Sequence, residues 1–110
     1  MANARLADRY AKSLIDLATE KGQLETAYAD MKYVQAVCYA SAEFVNLLKS
    51  PIVNADQKNK ILQAVTAGKV SELLNAFAVL LVKKGRESAL PEIADISSGL
   101  MSTIIVYFNK

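Results

Sequence analysis

The sequence predicts an all-α protein, a six-helix bundle that forms a single compact domain over residues 1–110. Apolar residues recur every three to four positions in six successive stretches, which places them on one face of an α-helix. Glycine, proline or helix-capping residues separate these stretches. We find neither strands alternating with helices nor an internal repeat. With 53% hydrophobic residues, a chain of 110 residues can bury one modest core.

Helix one is expected from about Ala4 to Lys21, with Gly22 as its terminator. It carries two apolar lines. The first line is rich in small residues that let a neighbouring helix approach closely, so we assign it to the core: Ala7, Ala11, Leu14, Ile15 and Ala18. The second line leaves an apolar face to spare: Leu6, Tyr10, Ser13 and Leu17.

Helix two is expected from Gln23 to about Tyr39, as a packing helix with one apolar stripe. Its stripe contains Leu24, Tyr28, Met31 and Cys38, and its polar positions are Glu25, Asp30, Lys32 and Gln35. No arginines are interleaved with its tyrosines, so we assign the tyrosines to the core or its edge instead of to a base-stacking platform: Tyr28, Tyr33 and Tyr39. Cys38, the single cysteine, is interpreted as a packing residue in a reducing compartment.

Two shorter helices follow. Ser41 is expected to cap a helix that runs through Lys49 and ends at Ser50-Pro51, with Phe44, Leu47 and Leu48 as its apolar face. Asn54 is expected to cap the next helix, with Gln57 in the capping-box position and Gly68 at the end. Its predicted inner residues are Ile61, Leu62 and Val65, and its predicted solvated side is Lys58, Asn59, Lys60 and Gln63.

Helix five, from Ser71 to Lys84, is apolar nearly all round, because Asn75 is the only polar residue between Leu73 and Val82. A helix of this kind needs cover on more than one side. We assign one side to the core: Leu74, Ala78, Leu81 and Val82. The other side remains available: Leu73, Ala76, Phe77, Leu80 and Lys84. Gly85 suits a left-handed stop.

Helix six is expected to begin near Ser88, with Pro91 tolerated in its first turn. Its predicted inner stripe is Leu90, Ile93, Ala94, Leu100, Met101, Ile104 and Phe108. The segment from Ile104 to Phe108 is rich in strand-forming residues, but its continuity with the helical stripe favours helix. Gly99 should weaken this helix unless close packing requires it.

Composition argues against several functions. The chain has no histidine, which makes zinc sites and histidine-based catalysis poor candidates, and we predict no catalytic residue, metal or cofactor. The net charge of +2 provides no electrostatic footprint for nucleic acid. Residues Met1 to Leu6 lack the pattern of a secretory signal or anchor, so we expect a cytoplasmic chain without direct membrane insertion.

Three segments, in this order, resemble the delta subunit of F-type ATP synthases, whose mitochondrial relative is the oligomycin sensitivity conferral protein. They are Ala7 to Leu14, Ser50 to Ile52, and the run from Phe77 through Gly85-Arg86 to Leu90-Pro91-Glu92-Ile93. The resemblance implies the family's N-terminal six-helix domain over residues 1–110. It also implies that the family's smaller C-terminal domain, which contacts the peripheral-stalk b subunits, is absent from this chain.

The resemblance implies a non-catalytic stator role at the cytoplasmic face of the inner membrane, in a complex that performs proton-coupled ATP synthesis. In this family, helices one and five form a groove that receives the amphipathic N-terminal helix of an alpha subunit. Carried over by position, the candidate partner-binding residues are Leu6, Tyr10, Ser13, Leu17, Leu73, Ala76, Phe77, Leu80 and Lys84. Without the resemblance, the apolar members of this set would be assigned to the core.

Three alternatives remain open from the residues alone. The first is a helical adaptor that binds an amphipathic helix of an unrelated partner. The second is a small enzyme, although the carboxylates are scattered and no glycine-rich phosphate loop accompanies them: Asp8, Asp16, Glu72, Glu92 and Asp95. The third is a nucleic-acid-binding helical domain, which the near-neutral charge disfavours.

Overall fold

The computed structural model describes residues 4–108, and within this range it contains α-helices, one 3-10 turn and no strand. The six helices are α1 (Ala4–Glu20), α2 (Leu24–Ala40), α3 (Ala42–Lys49), α4 (Ala55–Thr66), α5 (Glu72–Lys83) and α6 (Leu90–Phe108). The predicted all-α, six-helix architecture is confirmed. The expectation for the N-terminal segment rests partly on residues 1–3, which lie outside the described residues, as do residues 109–110.

Local signals set most helix ends where the sequence predicts them. Ser41 and Asn54 each accept a hydrogen bond from the backbone N–H three residues ahead, at 3.1 and 2.9 Å. Gly85 follows α5 with φ of +69°, a left-handed conformation that a side chain disfavours. The sixth helix differs slightly from the prediction. A 3-10 turn (Glu87–Ala89) precedes it, so α6 begins at Leu90 and Pro91 still lies in its first turn.

The helices pack as two groups. Helix α6 packs most extensively against α1 and α2, which also contact each other, while α4 packs against α5. Smaller contacts join α5 to α2 and to the 3-10 turn. The core line predicted for α1 is fully confirmed, because Ala7, Ala11, Leu14, Ile15 and Ala18 are all buried. The core side predicted for α5 is also confirmed: Leu74, Ala78, Leu81 and Val82 are buried.

The segment Glu87–Phe108 is, by length and composition alone, long and apolar enough to cross a membrane. The core helix of a soluble protein satisfies the same criterion. Here Ile93, Ala94 and Met101 of this segment belong to the core and are fully covered by the surrounding helices.

Three residues assigned to the core or its edge lie at the surface instead. Leu100 and Phe108 on α6 are exposed, Leu100 because it lies at the edge of the face that packs on α1 and α2, and Phe108 because it lies on that face but in the last turn of the helix, where it borders an open cleft. Tyr39 is 74% exposed, and its hydroxyl donates a hydrogen bond to Asp95 at 3.0 Å. The predictions for Leu100, Phe108 and Tyr39 were therefore wrong, whereas Tyr28, Tyr33 and Cys38 pack against the core as predicted.

Lys58 lies on the predicted solvated side of α4 but is buried. Its ammonium group donates to a carboxylate oxygen of Glu87 at 2.7 Å and to the backbone carbonyl of Leu48 at 2.9 Å. A buried charge requires such partners, so the Lys58–Glu87 ion pair joins α4 to the 3-10 turn and to the end of α3. Lys60 on the same helix is exposed, as predicted.

Candidate partner-binding groove

The spare apolar lines of α1 and α5 meet at one aromatic contact between the two helices. Tyr10 of α1 and Phe77 of α5 meet edge to face, with ring centroids 6.4 Å apart and ring planes at 68°. This arrangement is a favourable one for two aromatic rings. Apart from this contact, α1 and α5 are not among the closely packed helix pairs of the bundle. The groove named here is the surface between α1 and α5 around this aromatic pair.

The two walls of the groove run in opposite directions. A surface cleft brings the turn after α1 next to the start of α5, and it is lined by Lys21, Gln23, Thr26, Ser71, Glu72 and Leu73. The C-terminal end of α1 therefore lies beside the N-terminal end of α5. Because Tyr10 and Phe77 lie further towards the opposite ends of their helices, the N-terminal part of α1 is aligned with the C-terminal part of α5.

The predicted groove residues differ in exposure in a way that separates a floor from a rim. Phe77 is only 6% exposed and belongs to the core, so it forms the floor. Tyr10, Leu6 and Leu73 are half-buried beside it. The rim residues are exposed: Ser13, Leu17, Ala76, Leu80 and Lys84. Among them, Leu17 is 37% and Leu80 41% exposed, which leaves apolar surface on both walls.

Two of the predicted residues also border a different cleft. Ser13 and Leu17 line, together with Ile104 and Phe108 of α6, a cleft of about 740 Å³ on the other side of α1. Their exposure is therefore shared between the groove and the end of α6. Leu80 is not among the residues that line the clefts at the end of α6, so its exposure is not shared with that end.

Asp30, which sequence reasoning placed among the polar positions of α2, holds the start of the α5 wall. The Asp30 side chain is buried, and one carboxylate oxygen accepts hydrogen bonds from the Ser71 hydroxyl and from the Ser71 backbone N–H, the latter at 2.9 Å. Ser71 in turn caps α5 through the backbone N–H of Leu74. The local sequence identifies Ser71 as a helix cap. Asp30, which accepts the hydrogen bonds of Ser71, is 41 residues away in the sequence, and no local pattern indicates this contact.

Cys38 lies on the α2 side of the bundle, away from the groove. Burial raises the pKa of its thiol from 9.0 to about 11, and the nearby carboxylates of Asp95 and Glu92 act in the same direction. The thiol is therefore protonated at neutral pH and is a weak nucleophile. This fits the packing role predicted for Cys38.

Comparison with known proteins gives a consistent result. A family model described as ATP synthase delta (OSCP) subunit matches residues 6–103. The chain is similar to proteins named ATP synthase subunit delta. It is 44% identical to the one from Cytophaga hutchinsonii over 94 residues, which cover 86% of this chain and 52% of the relative. It is 39% identical to the one from Chlorobaculum tepidum over 90 residues, or 82% and 50% of the two chains. The chain spans about half the length of the curated relatives it matches.

Proposed function

The chain belongs to the ATP synthase delta (OSCP) subunit family, and on this premise we propose that it is the helical-bundle domain of a delta subunit in the stator of an F-type ATP synthase. The observation that carries this proposal is the family match, which extends over nearly the whole bundle, residues 6–103. In this role the domain catalyses nothing. It is a peripheral subunit of a membrane-associated complex, lies at the cytoplasmic face of the membrane, and connects the catalytic head to the peripheral stalk.

Within that complex, the proposed partner of the groove is the amphipathic N-terminal helix of an alpha subunit. The exposed leucines on both walls support this, because an amphipathic helix seated between them would cover apolar surface that the bundle leaves in water. The half-buried ring of Tyr10 and the edge of Phe77 provide an aromatic floor for such a helix. Aromatic side chains and a few apolar anchors commonly supply most of the affinity of an interface.

The chain covers about half of its relatives' length, so we assign contacts with the peripheral-stalk b subunits to the other half. We propose that residues 1–110 correspond to the head-facing domain of the subunit. Exposed apolar side chains at the end of α6, Val106, Tyr107 and Phe108, carry no part of this proposal, although Phe108 borders the same cleft as Ser13 and Leu17.

The test is a calorimetric titration of the chain with a synthetic peptide that covers the N-terminal helix of the alpha subunit of the same organism. We expect one-to-one binding that is lost for a peptide of equal composition and scrambled order. Leu80→Asp, which places a charge on the apolar rim, should weaken binding strongly while the circular dichroism spectrum stays helical. If the folded wild-type chain does not bind, the alpha-helix proposal fails, and a helical adaptor for an unrelated amphipathic helix becomes the better hypothesis.

A further inference from the structure

We propose that the two clefts on either side of the end of α6 form a second docking surface, which binds an amphipathic helix with a basic face from another protein chain. We call it the α6-end surface; it consists of Ile104 and Phe108 of α6 together with the residues of α1 and α2 that line the two clefts. It lies apart from the contact between Tyr10 and Phe77. Failure of the alpha-subunit peptide to bind would therefore leave this inference untouched.

The centre of the α6-end surface is apolar. Ile104 and Phe108 lie one helical turn apart, and both line both clefts, which have volumes of about 490 and 740 Å³. Phe108 is 76% exposed, and Leu17 on the α1 side of the larger cleft is 37% exposed. The apolar face of a docked helix would cover these side chains, which the bundle leaves in water.

The rim of the larger cleft is acidic. Asp16 and Glu20 line this cleft, both are exposed, and neither forms an ion pair with another residue in the range 4–108. In the described part of the chain, no lysine or arginine lines either cleft. Lys21, which follows Glu20, lines a different cleft beside the start of α5. The charge of the rim therefore calls for cations from outside the bundle.

Local helix stability does not account for this rim. Helix α1 has no basic residue in its last turn, where Glu20 instead adds negative charge to the negative end of the helix dipole. Glu25, at the smaller cleft, differs because it lies in the first turn of α2, where a carboxylate stabilises the helix. Basic side chains of a docked helix would relieve the repulsion at the end of α1.

The combination of an apolar centre and an acidic rim selects one class of partner. An amphipathic helix whose apolar face covers Phe108 and Leu17 would bring lysines or arginines at the edge of that face to Asp16 and Glu20. The same carboxylates would repel the phosphates of a nucleic acid and the headgroups of an anionic membrane. A second copy of this chain fits less well, because it would bring two acidic rims together.

The test uses a synthetic amphipathic helix of leucine and lysine, about 18 residues or five turns long, titrated into the isotope-labelled chain. We expect amide resonance shifts that concentrate at Glu20, Ile104 and Phe108. The same peptide with glutamate in place of lysine should not bind. Shifts that concentrate at Leu80 on α5, or that spread evenly over the bundle, would overturn the proposal, as would equal binding of the two peptides.

Two pairs of variants supply the second measurement. Phe108→Ser should weaken binding of the lysine peptide about fivefold to fiftyfold, because the ring is 76% exposed and the peptide covers it. Ile52→Ser, at a 91% exposed position between α3 and α4, should leave the affinity unchanged. Glu20→Gln should weaken binding about twofold to fivefold, and Glu43→Gln, at an exposed position of α3, should not. Equal losses within either pair would contradict the assignment.

Two further outcomes would give the surface to a different occupant and so overturn the proposal. Dimerisation of the chain alone in sedimentation, abolished by Phe108→Ser, would identify a second copy. Loss of peptide binding in a chain extended by the half of a longer relative that this chain does not match would identify an occupant within the same subunit. Binding that persists in the extended chain, with the chain itself monomeric, is the result we expect.

Discussion

The exposed fraction of Leu80 gives the binding free energy that a partner helix would gain by covering this side chain, and that value can be tested. Complete burial of a leucine side chain contributes about 1.5–3 kcal/mol, and Leu80 is 41% exposed, so covering it contributes about 0.6–1.2 kcal/mol. A substitution to alanine removes most of that gain. We therefore expect Leu80→Ala to weaken binding of the alpha-subunit peptide about threefold to eightfold, measured by calorimetric titration at about 25 °C.

Leu100 provides a matched control for this substitution. It is 38% exposed and lies on α6, outside the groove, so Leu100→Ala should cost similar folding stability without affecting the peptide. We expect its affinity to stay within about 1.5-fold of the wild type, on the premise that exposed surface outside an interface contributes little. Equal losses for the two variants would refute the reasoning, as would a Leu80→Ala variant that binds as tightly as the wild type.

Phe77 is a poor probe of binding because its side chain is buried in the core. Its ring is 6% exposed, so Phe77→Ala removes core packing and should lower the free energy of unfolding by about 3–5 kcal/mol. A loss of binding in that variant would report unfolding of the bundle as readily as loss of a contact. Direct contact between Phe77 and the partner stays a prediction that only a structure of the complex or a milder substitution can address.

Three further predictions concern stability and the thiol. Gly99→Ala should raise the free energy of unfolding by about 1 kcal/mol, because an added Cβ meets no atom within 4 Å; a lower urea midpoint would contradict this. Lys58→Ala should cost about 3–5 kcal/mol by leaving a buried carboxylate unpaired, whereas Lys49→Ala, in an exposed ion pair, should cost less than about 1 kcal/mol, both measured by urea unfolding. Similar costs would refute the distinction. The pKa of Cys38 is raised to about 11, so the unfolded thiol ionises first and stability should fall as pH rises from about 9 to 11. A Cys38→Ser variant should lack that part of the decline, and identical pH profiles would contradict it.

The fold was predictable because its determinants are local. Each helix carries its own apolar period, and the caps at Ser41 and Asn54 and the left-handed Gly85 mark boundaries within a few residues of where they act. The one shift, at the start of α6, comes from a 3-10 turn inserted before Leu90. Hydrogen bonds of that turn resemble those of the helix that follows, so periodicity alone does not separate them.

Long-range polar contacts were not predictable from the same patterns. The local sequence of α4 indicates a surface lysine at Lys58, and its burial becomes favourable through Glu87, 29 residues away, and the Leu48 carbonyl, 10 residues away. Asp30 likewise lies at a polar position of α2, and its role depends on the approach of Ser71. Such pairs depend on how the helices are arranged in space, which one sequence does not report.

In the candidate site, side chains on the spare lines of α1 and α5 are exposed at the rim, as predicted, but the side chain at the centre of the α5 line is buried. Leu17 and Leu80 keep apolar surface at the rim, as a spare face requires. Phe77 lies about 60° closer than Leu80 to the buried side of α5, so its ring joins the core and contacts Tyr10. The two spare lines therefore merge with the core at their inner edge, where a large side chain is covered.

The division of the bundle into two packing groups places the two walls of the groove on different groups. Its α1 wall belongs to the group formed with α2 and α6, while its α5 wall belongs to the pair formed with α4. The groups meet in the shared hydrophobic core, at the Tyr10–Phe77 contact and at the hydrogen bonds of Asp30 with Ser71. Small sliding of one group on the other would open or narrow the groove along its length. Affinity for a partner helix is therefore a property of the whole bundle, and substitutions between the groups can tune it without touching the partner.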